Sequence, residues 1–269
     1  MNYLIYLFTI ILLVGCNPTK KQKKEANNNE TEWVSLFDGE TLNGWHLYNG
    51  DVPEKFWSVE DGVLKFHPPT EKEDKGRSYN IVTEEEYTNF ELSLEWKISE
   101  GGNSGIFWGV VEDPDLSEPY YTGPEVQILD IDKAKYDPSR EKDDEFYQPG
   151  ALYDLSRPSE QVAKPAGMWN HVVIHINHEK NHGHVVLNSV KIHEFPVNGE
   201  QWEKMIAGSK FKDWSKFGTY KTGKIGLQDH GNPVAFKNIK IKKAESRARS
   251  LLLTENGAET RKRCFLGPF

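Results

Sequence analysis

Cysteine is nearly absent from this chain, which has only Cys16 and Cys264 among its 269 residues. If Cys16 is lipidated, as considered below, only Cys264 remains as a free thiol. An internal disulfide is thereby excluded, and the fold must depend on the burial of apolar side chains. The supply of large side chains is ample, with 8 Trp, 11 Tyr and 13 Phe.

Net basic charge is missing as well, because 33 Lys and Arg face 41 Asp and Glu. The formal net charge is −8 and the sequence pI is about 5.7. Nucleic-acid binding needs a basic patch or stripe, and none runs through the central part of the chain. We therefore expect no nucleic-acid partner.

A membrane-spanning apolar run is missing too. The apolar run at residues 4–14 stops at Gly15-Cys16 and is shorter than the roughly 20 residues needed to cross a bilayer. The sequence LVGC at residues 13–16 resembles a bacterial lipobox. It predicts a lipoprotein signal peptide over residues 1–16, lipidation at Cys16, and a lipid-anchored protein of the cell envelope, in the periplasm or the outer membrane. Residues 17–31, rich in Lys, Asn and Glu, are typical of a flexible tether.

Helical periodicity is rare, and short runs of alternating polarity replace it from residue 33 onward. Alternation with period two indicates strands with one buried face. The pattern predicts an all-β sandwich over residues 32–243 with one short helix at residues 199–211. Residues 244–269 lose the alternation and are expected to be a disordered or artefactual tail. The predicted strands include residues 91–98, 171–177, 184–187, 190–195, 224–227 and 234–241.

The segment GPEVQILD at residues 123–130 places polar side chains in an otherwise buried strand. Glu125 and Gln127 share one face because side chains alternate along a strand. Asp130 joins that face only if the strand contains a bulge, and otherwise it begins the next turn. A solvated strand face is the simpler alternative. The long loops at residues 112–123 and 131–150 flank this strand, which favours their being the walls of a site.

An ordered set of motifs extends over residues 33–242, and as a set it resembles the 3-keto-disaccharide hydrolase family. The motifs are LFDG at 36–39, LNGW at 42–45, EWKI at 95–98, GGNSGI at 101–106, EVQILD at 125–130, GALY at 150–153, WN at 169–170 and GLQDHG at 226–231.

The resemblance implies a jelly-roll β-sandwich of the concanavalin and glucanase type, with long loops around a concave face. It also implies a glycoside-cleaving enzyme that acts on sugars oxidised to a ketone at C3. That carbonyl acidifies the C2 proton, so a base can remove it, the C1 substituent can leave, and water can add back. Such a site needs a base, a stabiliser for the enolate oxygen and an acid for the leaving oxygen.

Three residues are the candidate catalytic groups: Glu125, His230 and Asp130. Burial would raise the pKa of the Glu125 carboxyl, and His230 lies in a turn where it could act as base, acid or metal ligand, or simply bond to the backbone. Asn103 and Ser104 lie in a Gly-rich stretch that could hold an oxyanion or merely form a bend. The candidate substrate-binding residues are Gln127, Asn103, Ser104, Glu95, Tyr153, Tyr121, Gln228 and Trp108.

Four histidines, at positions 175, 178, 182 and 184, suggest a metal site only weakly. No Cys or carboxylate accompanies them at ligand spacing, so an exposed sheet face is the favoured interpretation. We therefore assign no metal ligands and no certain cofactor, although a divalent ion is left open.

Two further functions fit the same pattern. A non-catalytic carbohydrate-binding lipoprotein would use the same fold and aromatic residues, and an ordinary glucanase would use a Glu and Asp pair. In each case the expected partners are a carbohydrate and, through the lipid, a membrane; the oligomeric state is not predicted.

Overall fold

A computed structural model of the chain describes residues 32–51, 53, 55–70, 78–133 and 143–243. The predicted signal peptide with Cys16, the tether and the C-terminal tail lie outside the described residues. So does part of the predicted loop at residues 131–150.

The described residues form thirteen strands and one α-helix. The strands are β1 (Val34–Ser35), β2 (Trp45–Leu47), β3 (Trp57–Glu60), β4 (Val63–Phe66), β5 (Ile81–Thr83), β6 (Phe90–Ile98), β7 (Asn103–Val110), β8 (Glu125–Leu129), β9 (Asn170–Asn177), β10 (His182–Leu187), β11 (Val190–Phe195), β12 (Lys224–Leu227) and β13 (Val234–Lys243), and the helix is α1 (Gly199–Ala207). Among the described residues, no helix is both long and apolar enough to cross a membrane.

The strands build two antiparallel sheets. One has eight strands in the order β11-β10-β9-β6-β13-β4-β3, with β1 paired to β13, and the other has five in the order β2-β5-β12-β7-β8. Some neighbours are consecutive, such as β9, β10 and β11, whereas others, such as β6 with β13 and β5 with β12, come from distant parts of the chain, as in a jelly roll. The predicted all-β sandwich is confirmed.

The core lies between the two sheets because each strand turns its apolar side inward. In β6, Leu92, Leu94 and Trp96 are each about 1% exposed or less, whereas Glu91 and Glu95 point outward and are half-buried. This is the alternation predicted for residues 91–98. Burial of such side chains contributes roughly 25 cal/mol per Å² of apolar area.

The outer face of the five-stranded sheet is unusual because it carries polar side chains and glycines. Strands β7 and β8 pair without a bulge, with Gly105 opposite Gln127 and Phe107 opposite Glu125. The outer edge of β8 is covered by residues 150–153, whose backbone bonds to that of Glu125 and Gln127. This edge is therefore closed to further strands.

The helix α1 is confirmed but is shorter than predicted, since it ends at Ala207 rather than at residue 211. Gly208 follows as its C-cap, with its N–H bonded to the carbonyls of Lys204 and Ile206. Trp202 anchors the helix by donating from Nε1 to the carbonyl of Gly218 at 2.8 Å. The segment between Gly208 and Gly218 then folds back over the outer face of the five-stranded sheet.

Candidate active site

A cavity of about 330 Å³ opens over the outer face of the five-stranded sheet. Glu125 from β8, Asn103 from β7 and Gln228, which follows β12, come from its three neighbouring strands. The walls come from loops that hold aromatic side chains. The wall residues are Tyr120, Tyr121, Gly123, Tyr153, Lys210, Phe211, Trp214, Phe217 and His230.

Glu125 is the most perturbed acid of this cavity. Its side chain is 8% exposed, and burial raises the pKa of its carboxyl to about 8, against the opposing effects of the Lys210 charge and of a Gln228 hydrogen bond. Gln228 donates from Nε2 to Oε2 of Glu125 at 3.4 Å. The carboxyl group is therefore protonated at neutral pH and can donate a proton.

Gly105 leaves the space that the Glu125 side chain occupies. A Cβ atom at position 105 would overlap Oε1 of Glu125 and lie 2.6 Å from its Cδ. Only glycine at this position lets the carboxyl group lie flat on β7. Gly105 thus helps to fix the position of the Glu125 carboxyl group.

Two acceptor atoms on this face have no partner among the described residues. Oδ1 of Asn103 and Oε1 of Gln228 are both buried and make no hydrogen bond there. Buried acceptors without a partner are costly, and hydroxyl groups of a bound ligand would satisfy them. The pair therefore favours a ligand rich in O–H donors.

An aromatic wall faces these polar groups. Tyr121 and Trp214 lie 4.7 Å apart between ring centroids, and Phe211 stacks on Phe217 at 3.9 Å. Lys210 places Nζ 4.4 Å from the ring centroid of Tyr153. Flat rings beside a charged amine provide both an apolar platform and a positive charge.

Two further acids lie near the strand end that carries Gln228. Asn80 donates from Nδ2 to Glu118 at 2.7 Å, and its Oδ1 accepts the backbone N–H of Asp229 at 2.9 Å. Burial raises the pKa of Glu118 and of Asp229. Burial also raises the pKa of Tyr120 to about 12, with the charges of Glu118 and Glu125 adding to the shift. Negative charge is therefore disfavoured throughout this side of the site.

The family can be stated from this fold and sequence. The sequence model of the 3-keto-alpha-glucoside-1,2-lyase-like domain matches residues 32–242. The chain belongs to this family. The resemblance expected from the motifs is confirmed over the whole sandwich.

Similarities to individual proteins support the same family. A 3-keto-disaccharide hydrolase of Bacteroides thetaiotaomicron is 36% identical over 231 residues, which cover 78% of each chain. A candidate glycosyl hydrolase of Parabacteroides distasonis is 32% identical, with a TM-score of 0.72 over 79% of this chain and 94% of the other. A second candidate glycosyl hydrolase from that organism is 28% identical, with a TM-score of 0.57 over 79% of this chain and 99% of the other.

Six of the residues predicted for the site line this one cavity. They are Glu125, His230, Asn103, Tyr121, Tyr153 and Gln228. Gln127 lies beside Glu125 on the same face but is 1% exposed, and its Oε1 accepts the N–H of Ile128. It is therefore a buried neighbour of the cavity rather than part of its lining.

Asp130 does not join the face of Glu125, because β8 contains no bulge. Its carboxylate instead accepts the backbone N–H of Gly101 at 2.7 Å and that of Asp132 at 3.3 Å. Asp130 thus begins the next turn and ties it to the turn that precedes β7. A catalytic role for Asp130 required a bulge in β8, and that bulge is absent.

Three other predicted residues lie away from the cavity lining. Ser104 is fully buried and donates to the carbonyl of Gln228 at 2.8 Å. Trp108 is in the core against Phe195. Glu95 lies on the eight-stranded sheet, where its carboxylate is 3.4 Å from Lys237 Nζ.

The predicted oxyanion turn is also corrected, because residues 103 and 104 already belong to β7. The N–H of Asn103 is used by the side chain of Asn232 at 3.1 Å. A main-chain oxyanion pocket at this point is therefore not formed.

Sequence reasoning missed the wall between residues 208 and 218. Its sequence SKFKDWSKFG spaces Phe211, Trp214 and Phe217 by three residues, and this spacing was the available signal. Its N-terminal part was instead assigned to the helix. Tyr121 confirms that the predicted loop at residues 112–123 supplies a wall, whereas Tyr153 lies just beyond the other predicted loop at residues 131–150.

Proposed function

We propose that this chain is a hydrolase that cleaves glycosides whose pyranose carries a ketone at C3, with 3-keto-disaccharides as substrates. The observation that carries the proposal is Glu125, a carboxyl group held protonated on the floor of a sugar-sized cavity with aromatic walls. The family and the curated relative support the same chemistry.

The reaction needs a proton donor at the glycosidic oxygen, and Glu125 fits this role. Its raised pKa keeps the proton on the carboxyl group at neutral pH, so the group can give it to the oxygen as the C1–O bond breaks. An ordinary ionised glutamate at that point would have no proton to give.

The reaction also needs a base that removes the proton at C2. His230, whose imidazole lies on the cavity wall, fits this role. In this scheme His230 accepts the C2 proton, and the electron pair of that C–H bond forms the C2–C3 double bond of an enolate. When the enolate collapses to the C3 ketone, a C1–C2 double bond forms and the C1–O bond breaks, and the leaving oxygen takes the proton from Glu125. Water then adds at C1 and a proton returns to C2, so the net reaction is hydrolysis. Lys210, whose charge acts on Glu125, supplies positive charge for the enolate oxygen at C3.

The rest of the cavity suits a pyranose. Asn103 and Gln228 offer acceptors for sugar hydroxyls, and the Tyr121 and Trp214 rings offer platforms for the apolar face of the ring. Together these groups favour binding of a carbohydrate that keeps most of its hydroxyl groups.

The deciding experiment gives the enzyme one disaccharide in its 3-keto form and in its unoxidised form. We expect cleavage of the 3-keto form alone. Chromatography of the released sugars measures this cleavage. Glu125→Gln should lower kcat at least a hundredfold, because general acid catalysis contributes about 10²–10⁴. Glu95→Gln is the matched control, since it removes a glutamate of the other sheet.

Two results would oppose the proposal. Equal cleavage of both disaccharides would indicate an ordinary glycosidase, and binding of sugar without cleavage of either would indicate a carbohydrate-binding protein. Unchanged turnover in the Glu125 variant would remove that residue from the mechanism.

We also propose that the enzyme is lipid-anchored in the cell envelope. The leader sequence LVGC at residues 13–16 supports this. Metabolic labelling with a radioactive fatty acid should mark the wild-type chain and not Cys16→Ser, and absence of label from both would oppose the proposal.

A further inference from the structure

The outer face of the eight-stranded sheet carries a histidine cluster that the proposed reaction does not use. His182 and His184 are two residues apart on β10, so their side chains share one face. Gly183 and Val185 between and beside them face the core, since both are buried and Gly183 lies against Phe195. The His-Gly-His run therefore points both imidazoles to the outside of the sandwich.

A third imidazole comes from the neighbouring strand. His175 of β9 is directly opposite His184, and their rings stack with centroids 4.8 Å apart and planes 18° apart. Ring nitrogens of His175, His182 and His184 all lie within 4.8 Å of one another. Small side-chain rotations would bring three nitrogens to the separations that one metal ion requires.

Carboxylates accompany the cluster on both flanks, which sequence spacing could not reveal. Glu91 is opposite His175 on β6, with Oε1 3.5 Å from Nδ1 of that ring. Glu194 of β11 is opposite His184 and lies 3.4 Å from Nε2 of His182. Carboxylates beside metal-binding imidazoles commonly fix ring orientation.

These carboxylates are already engaged by lysines. Lys242 lies 2.8 Å from Glu91, and Lys191 lies 2.7 Å from Glu194. The oxygen atoms are thus less available as direct ligands than the imidazole nitrogens. The donor set is therefore dominated by nitrogen.

One of these nitrogens is unsatisfied and another is only weakly engaged. Nδ1 of His184 is buried and makes no hydrogen bond among the described residues, and Nδ1 of His175 has only the long 3.5 Å contact with Glu91. Buried polar atoms of this kind call for an explanation. A metal ion bound to these stacked imidazoles would give such a nitrogen a partner.

We propose that His175, His182 and His184 form a binding site for one divalent transition-metal ion, such as Zn²⁺ or Ni²⁺, which links β9 to β10. Imidazole ligands suit Zn²⁺, Ni²⁺ and Cu²⁺, whereas Ca²⁺ and Mg²⁺ require oxygen ligands. Three protein nitrogens leave room for water to complete the coordination. The site is on the sheet opposite the cavity, so its role is to hold strands together rather than to take part in the reaction.

The test uses untagged, metal-stripped full-length chain and isothermal titration calorimetry with Zn²⁺, Ni²⁺, Ca²⁺ and Mg²⁺. We expect one Zn²⁺ or Ni²⁺ per chain and no binding of Ca²⁺ or Mg²⁺. His182→Gln and His184→Gln should each weaken binding at least tenfold. His171→Gln, on β9 but outside the cluster, should bind as the wild type does.

A thermal melt separates loss of the site from loss of the fold. Zn²⁺ should raise the melting temperature of the wild type and of His171→Gln, and should not raise that of His184→Gln. All variants should melt alike in a chelator. Zinc binding that is unchanged in His182→Gln and His184→Gln, or no binding at millimolar zinc, would overturn the proposal.

Discussion

Replacing Glu125 by Gln should change how the stability of the fold depends on pH. The folded protein holds the Glu125 proton up to a pKa of about 8, whereas a free glutamate releases it at about 4.5. Between these values the folded state binds more protons than the unfolded state, so the free energy of unfolding falls as the pH rises. Below pH 4.5 this contribution is fully present, and above about pH 8 it is gone.

The magnitude follows from the size of the shift. Each pKa unit is worth about 1.4 kcal/mol, so the wild type should lose about 4 kcal/mol of stability from this group between pH 5 and pH 8. Glutamine does not titrate, and its amide oxygen can still accept from Gln228. The variant should therefore be more stable than the wild type at pH 8, with a gain that shrinks at pH 5.

The assay is equilibrium unfolding in urea, followed by tryptophan fluorescence, at each pH from 5 to 9. The informative quantity is the difference in unfolding free energy between wild type and Glu125→Gln. Glu95→Gln serves as the control, because it leaves Glu125 in place and should retain the wild-type slope. Parallel curves for wild type and Glu125→Gln would refute a strongly raised pKa at this position.

The remaining predictions concern the rest of the cavity. Gly105→Ala should displace the Glu125 carboxyl, lowering kcat at least tenfold and stability by about 1–3 kcal/mol, measured by steady-state kinetics and urea unfolding. Asn103→Ala should weaken sugar binding about tenfold, because an acceptor for a hydroxyl is lost, and calorimetry with a slow substrate analogue would measure it. Trp214→Ala should raise KM about tenfold and leave kcat within about twofold, since it removes a stacking platform. The kcat/KM of the wild type should fall as the pH rises through about 8, when Glu125 loses its proton.

Three of these predictions have a result that would contradict them. Gly226→Ala, which places a Cβ 3.1 Å from the Phe107 ring and away from any carboxyl group, should keep kcat near that of the wild type. An equal loss in both glycine variants would indicate general disruption of the sheet. A Trp214 variant that loses kcat but not KM would place that ring in the chemical step, and a flat alkaline limb would contradict proton donation by Glu125.

Much of the fold could be predicted from the sequence because the alternation in polarity reports directly on burial. The strands β6, β9, β11, β12 and β13 appear where apolar and polar residues alternate, with ends shifted by at most two residues. The helix end was missed because Gly208 stops the helix before the apolar pattern does.

Strand geometry predicted only the part of the site that depends on neighbours along the chain, whereas Asn103, Gln228 and His230 were candidates through the motifs of the resemblance. Glu125 and Gln127 share a face by strand geometry alone, whereas Glu95 alternates equally well but belongs to the other sheet. Which sheet a strand joins depends on contacts between distant segments, and a single sequence does not state them. For the same reason the carboxylates beside His175 and His184 were invisible before strand register was known.

The hydrogen bonds between residues 150–153 and β8 have a consequence for which parts of the cavity can vary. Glu125 is clamped from two directions, by β7 on one side and by this segment on the other, so the acid has little freedom to drift. The segment at 208–218 lacks this double restraint because it crosses the sheet without pairing to it. Exchange of that overlying segment would therefore alter the aromatic wall and Lys210 of the cavity while leaving the backbone around Glu125 in place.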